Sequence, residues 1–134
     1  MTQKPWNIGP TFIYEQRGDF HLLVLKTVGK HCCGYVGVNQ GHPLWGMEYR
    51  SNDYENPIMD FGVHGGITFT GFHKKNFPAN DIWWIGFDCA HSDDYCPNNP
   101  FGNESNYKTQ GWTWMETEKL LKQIQAWTKE NTTK

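Results

Sequence analysis

Two apolar runs stand close together near the start of the chain, FHLLVLKTV at 20–28 and HCCGYVGV at 31–38, parted by Gly29 and Lys30. Runs of that length, rich in aliphatic and β-branched residues and separated by a turn signal, predict a β-hairpin. TFIYEQ at 11–16, set off by Arg17-Gly18-Asp19, predicts an edge strand beside it. Further along, GVHGGITFTG at 62–71 and DIWWIGFDCAH at 81–91 predict two central strands joined by a turn through FHKKNFPAN. Strand alternation sorts their faces. In the first, Val63, Ile67 and Phe69 share one face and His64, Thr68 and Thr70 the other; in the second, Trp83, Ile85, Phe87 and Cys89 oppose Ile82, Trp84, Gly86 and Asp88.

The pattern turns helical only at the end. Thr117, Leu120, Leu121, Ile124 and Trp127 recur at helical spacing and predict a helix over about 114–130 whose apolar stripe packs on the sheet. Thr113 followed by Glu116 reads as a capping box, and Glu118 with Lys122 as an exposed i,i+4 pair. Between these elements lie two stretches without a period, 39–60 and 92–111, rich in Gly, Pro, Asn and aromatic residues. Connections that long inside a compact domain are uncommon and carry function when they occur. The fold class expected is therefore α+β, one domain over 1–134, with a mainly antiparallel sheet of four to six strands against one C-terminal helix. The long loops would form a functional rim.

Composition narrows the partners. Aromatic residues make up 16% of the chain, including 7 Trp, which supplies a core despite few aliphatics and offers flat surfaces to planar ligands. With 12 Lys and Arg against 14 Asp and Glu there is no basic field to grip long nucleic acid. No apolar run reaches the length of about 18 residues that a membrane helix needs, and MTQKPWNIGP lacks the apolar stretch of a signal peptide, so a cytoplasmic location is expected. Cys32, Cys33, Cys89 and Cys96 show no CxxC spacing and read as reduced thiols.

If the two central strands pair, His64, Thr68, Thr70, Trp84 and Asp88 come onto one surface, with His91 and the Ser92-Asp93-Asp94 turn just beyond the strand end. His31, His64, Asp88, His91 and Asp93 are acceptable metal ligands by type, yet no HExxH or comparable spacing appears, so no metal and no cofactor is expected. There is no GxSxG elbow and no phosphate loop. A small-ligand pocket asks less of these residues. Tyr35, Trp45, Trp83 or Trp84 would stack on a planar ring; His42, His64, His91, Thr68 and the backbone of Gly66 would hold phosphate; Asp88 would meet a ribose or orient a histidine. Gly65 and Gly66 open the backbone to close approach. The plainer alternative makes His64 and Asp88 a paired, buried couple with ordinary strand threonines beside them.

Three blocks, CGYVGVNQGHPLWG at 33–46, VHGGITFTG at 63–71 and WWIGFDCAHSDD at 83–94, resemble a family of small bacteriophage and prophage proteins sharing CGYVxVxxGHPLxG, HGGxT and WWxGFDCAH motifs. Asn39-Gln40 departs from the Pro and polar residue usual there. The resemblance implies a phage setting in the host cytoplasm. It raises the expectation of an anti-defence protein that sequesters a nucleotide-derived immune signal, cyclic ADP-ribose-like or a cyclic oligonucleotide, without cleaving it, as a homo-oligomer. The alternatives are a His/Asp hydrolase of a nucleotide, with His64 and His91 as acid and base and perhaps metal-dependent, and a protein that inhibits a host defence enzyme by contact.

Overall fold

The hairpin forms as its two runs dictate. In the computed structural model, which describes residues 3–50, 56–73, 78–98 and 101–132, β2 (Phe20–Lys26) pairs antiparallel with β3 (Cys32–Val38), with Leu23 opposite Tyr35. The edge strand β1 (Phe12–Arg17) adds to β2, and β5 (Trp83–Asp88) adds to β3 on its other side with Tyr35 opposite Gly86. A short β4 (Phe69–Gly71) completes a five-stranded antiparallel sheet of order β1-β2-β3-β5-β4. One helix, α1 (Gln110–Thr132), lies on it. This is an α+β architecture. No helix among the described residues is long and apolar enough to cross a membrane.

Both faces of the central strands are covered, which is why all seven residues of β3 are buried. On the helix side Leu22, Val36, Ile85 and Phe87 meet Leu120, Leu121 and Ile124, all of them at most 2% exposed. Each such side chain contributes about 1.5–3 kcal/mol on burial. Gly34 sets how near the helix comes: a Cβ there would sit 2.2 Å from Thr117 Oγ1 and 2.7 Å from the Phe87 ring. The opposite face holds Leu23, Cys33, Tyr35, Ile82 and Trp84, with Tyr14, Leu25 and Phe69 against them. The alternation read for residues 82–89 holds, with Trp83, Ile85, Phe87 and Cys89 on the helix side and Ile82 and Trp84 on the other.

Several expectations need correction. Residues 62–68 are not a strand: Gly65 and Gly66 sit at φ +71° and +82°, and the Gly66 N–H closes a turn onto Val63 O at 2.9 Å. An L-residue avoids that region, so the glycine pair breaks the strand that the alternation suggested. Pairing starts only at Phe69, which packs on Tyr35 across the sheet from Val63 and Ile67 instead of sharing their face.

The helix begins at Gln110, four residues before the expected start. Thr109 caps it, its Oγ1 accepting the Trp112 N–H at 3.2 Å, while Thr113 lies buried inside the first turn and donates to Thr109 O. Glu116 does not close a capping box; its carboxylate accepts from the His64 N–H and lies near Lys119. Glu118 pairs with Arg17 of β1 at 2.9 Å. Where described, the long connections hold 3-10 turns at Ile58–Asp60 and Glu104–Asn106 and are otherwise mostly irregular; residues 51–55 of the first and 99–100 of the second lie outside the described set.

Candidate functional site

The end of β5 and the glycine turn meet at one corner of the sheet. As β5 stops, the Asp88 carboxylate accepts the Ala90 N–H at 3.0 Å and turns the chain, and the Asp94 N–H then closes on His91 O at 2.8 Å. This places His91 against the Gly65-Gly66 turn. A Cβ on Gly65 would fall 2.0 Å from His91 Nε2, so the missing side chain is the space the imidazole occupies.

Asp94 is the anchor of the corner. Its side chain is 0% exposed and accepts from His64 Nε2 at 2.8 Å and the His91 N–H at 3.0 Å, with Lys108 Nζ 3.3 Å away. Burial works to raise this carboxyl, and the bonds from His64, His91 and Lys108 outweigh it, holding Asp94 below its ordinary value. Lys108 also lies over the Trp112 ring at 5.4 Å, and Trp112 meets the His64 ring edge-on at 5.1 Å. The two imidazoles stand 5.5 Å apart, centre to centre.

Asp88 holds the other side. It accepts from Thr68 Oγ1 at 3.0 Å, and His91 Nε2 lies 3.4 Å from its Oδ1 without hydrogen-bond alignment, a buried nitrogen left unpartnered. Next to His91 opens a pocket of about 290 Å³ lined by Ala90, His91, Ser92, Asp94, Cys96, Phe101 and Gly102. That volume is near the lower bound of ligand sites, roughly 300 Å³. Among the described residues no group of three or more His, Cys, Asp or Glu side chains is arranged to hold a metal.

Of the residues singled out in the sequence, His64, Thr68, Asp88 and His91 converge here. The others do not. Tyr35 and Trp84 are 9% and 1% exposed, core rings whose faces meet Phe69 and His73. Neither presents an open plane to a ligand. Trp45 donates Nε1 to Asp81 O and packs on Phe72 and Trp83. His42 has both nitrogens engaged: Nδ1 accepts the Leu44 N–H at 3.0 Å, so Nε2 carries the proton it donates to Thr128 Oγ1 at 2.8 Å. Burial lowers its pKa, and it lines a separate surface pocket with Asn39, Gln40 and Gly41. The Gly66 N–H is held by Val63 O, which removes it as a phosphate donor, and Thr70 is engaged by Tyr49 and Glu48.

Sequence reasoning brought Asp94 to the site only as part of the Ser92-Asp93-Asp94 turn, with no role of its own, and missed Lys108 and Trp112. Asp93 and Asp94 are indistinguishable in a polar run, and nothing local marks Lys108, just before α1, or Trp112, in its first turn, as partners of the corner. Comparison of the chain with protein-family models, curated proteins and solved structures gives no match.

Proposed function

We propose that the chain binds a small nucleotide-type ligand at the corner formed by His64, His91, Asp88, Asp94 and Lys108, and retains it unchanged. The observation that carries this reading is the convergence itself: two imidazoles, two carboxylates, a hydroxyl and an ammonium gather beside a pocket with the aromatic Phe101 at its rim. Concave sites with a few converging polar groups are the usual form of small-ligand sites. Ser92 and the edge of His91 would face phosphate, Phe101 a planar base, and Asp88 a ribose hydroxyl. The role of such a ligand as an immune signal, sequestered to counter host defence, rests on the resemblance of the three blocks to phage proteins.

One observation favours a second reading, hydrolysis of the same ligand. His64 Nε2 is fixed by a fully buried carboxylate, the arrangement that orients an imidazole for proton transfer. One experiment separates the two. The protein is incubated with cyclic ADP-ribose-type and cyclic dinucleotide probes, desalted and denatured, and the released material is analysed by mass spectrometry. Intact probe supports sequestration; altered probe supports hydrolysis. If no probe is retained or changed, both readings fail and inhibition of a host enzyme by contact takes their place.

A further inference from the structure

The corner contains an acceptor where a phosphate site would need a donor. Asp94 is buried and surrounded by three donors, and two of them, the His91 N–H and the Lys108 ammonium, are present whatever the state of His64. Lys108 therefore supplies the countercharge for the carboxylate, and His64 need not be protonated to do so. What Asp94 requires of His64 is a proton on Nε2, to donate at 2.8–2.9 Å to its two oxygens. In the neutral ring that places the lone pair on Nδ1. Nδ1 is the nitrogen turned away from Asp94, on a side chain that is 22% exposed and beside His91.

Resting on the reading above, we infer that Asp94 and Lys108 are positioning residues that lock His64 as a hydrogen-bond acceptor through Nδ1, so that this ring meets a ligand hydroxyl or N–H, a ribose hydroxyl above all, and not a phosphate. Two other features agree. The His64 N–H is held by Glu116, a carboxylate that discourages an anion at the same point. Asp88, which meets the edge of the same His91 ring, is likewise an acceptor, its oxygens facing Thr68, the Ala90 N–H and the His91 edge. Two acceptors side by side suit a diol. Phosphate is left to the Ser92 side of the pocket.

The test is imidazole 15N NMR on the full-length, labelled protein at pH 7.5. The wild-type chain should show His64 with Nε2 protonated and Nδ1 bare. Asp94→Asn should mix the tautomers. Adenosine should move the His64 Nδ1 resonance, and 2′,3′-dideoxyadenosine, which lacks both hydroxyls, should bind about thirtyfold more weakly, the value of the two hydrogen bonds it loses. Inorganic phosphate should leave Nδ1 unmoved. A doubly protonated His64 in the wild type, tautomers unchanged in Asp94→Asn, or a shift of Nδ1 by phosphate alone would each overturn the inference while leaving ligand binding intact. A locked ring that neither adenosine nor any nucleotide perturbs would instead overturn the nucleotide reading, and the hydroxyl assignment with it.

Discussion

The Cβ that Gly65 lacks would stand 2.0 Å from Nε2 of His91. The adjacent Gly66, at a similar φ of +82° against +71°, has nothing within 4 Å of the same construction. The pair thus does two jobs, one conformational at both positions and one steric at Gly65 alone. Gly66→Ala should cost only the left-handed backbone penalty, about 1 kcal/mol. Gly65→Ala adds an overpacked imidazole and should cost about 2–4 kcal/mol in all. Urea melts measure both, and the His91 resonances should move in Gly65→Ala and stay put in Gly66→Ala. Equal losses would mean that His91 yields freely and that the space beside Gly65 is not what holds it.

A second prediction concerns acid. His73 sits against Tyr35 at 4.5 Å, stacks on Phe69 and touches Trp84, with its Nε2 buried and unpartnered. Burial lowers its pKa from 6.5 to about 4. Between those values the unfolded chain binds a proton that the folded chain refuses, so stability falls as pH drops from about 6.5 toward 4. His42, also lowered by burial, works in the same direction, whereas Asp94, held below 3.8, loses its contribution only further down. His73→Phe keeps a ring in the slot and removes the titration. Stability measured at intervals from pH 7 to 4 should decline less steeply in this variant, the residual slope belonging to His42. An unchanged slope would place the acid sensitivity elsewhere.

The sheet was legible because its signals are local and redundant. Aliphatic runs flanking Gly29-Lys30 can hardly form anything but a hairpin, and eight consecutive residues from Ile82 to Cys89 alternate without interruption. VHGGITF imitates that alternation, but two adjacent glycines are a turn signal as well, and the choice between them depends on a tertiary fact, the His91 ring that needs the space. The helix start shows the same limit. The spacing of Thr113 and Glu116 points to a capping box, but the fold draws Glu116 to the His64 N–H and leaves the cap to Thr109. For the site, residue types were readable and burial was not. Tyr35 and Trp84 looked like stacking surfaces because nothing local announces that Phe69 and His73 cover them.

Thiol chemistry gives a third prediction. Cys32, Cys33 and Cys89 are buried, and burial raises all three thiols, Cys33 and Cys89 to about 12. Cys96 is half-buried and lines the pocket beside His91. Its thiol is also raised by burial, so it reacts slowly, but it alone is within reach. Iodoacetamide at pH 8 should add one label to the folded chain, at Cys96, and four in denaturant. A ligand filling the pocket should slow that single modification. Labelling of Cys33 or Cys89 at a comparable rate would show that the sheet opens far more readily than its packing implies.

His42 and His64 were equal candidates for ligand contact in the sequence, and the structure separates them. His42 ties the 39–46 loop to α1: its ring accepts from the Leu44 N–H and donates to Thr128 Oγ1, which passes its own proton to Ile124 O at 2.6 Å. Neither nitrogen is available without breaking a bond that holds the loop. His42→Ala should therefore destabilise the fold by about 1–2 kcal/mol, the sum of two modest hydrogen bonds and some packing. Thr128→Val should reproduce part of that loss, and the two together should be less than additive, because they remove one shared interaction. Ligand retention should survive both. His64→Ala should behave the opposite way: Asp94 keeps Lys108 and the His91 N–H, so the chain stays folded by circular dichroism, and retention is lost. If His42→Ala abolishes retention in a folded protein, the binding site lies in the pocket beside Asn39 and Gly41; if His64→Ala unfolds the chain, the corner is a structural fastening and its polar groups are there to be buried.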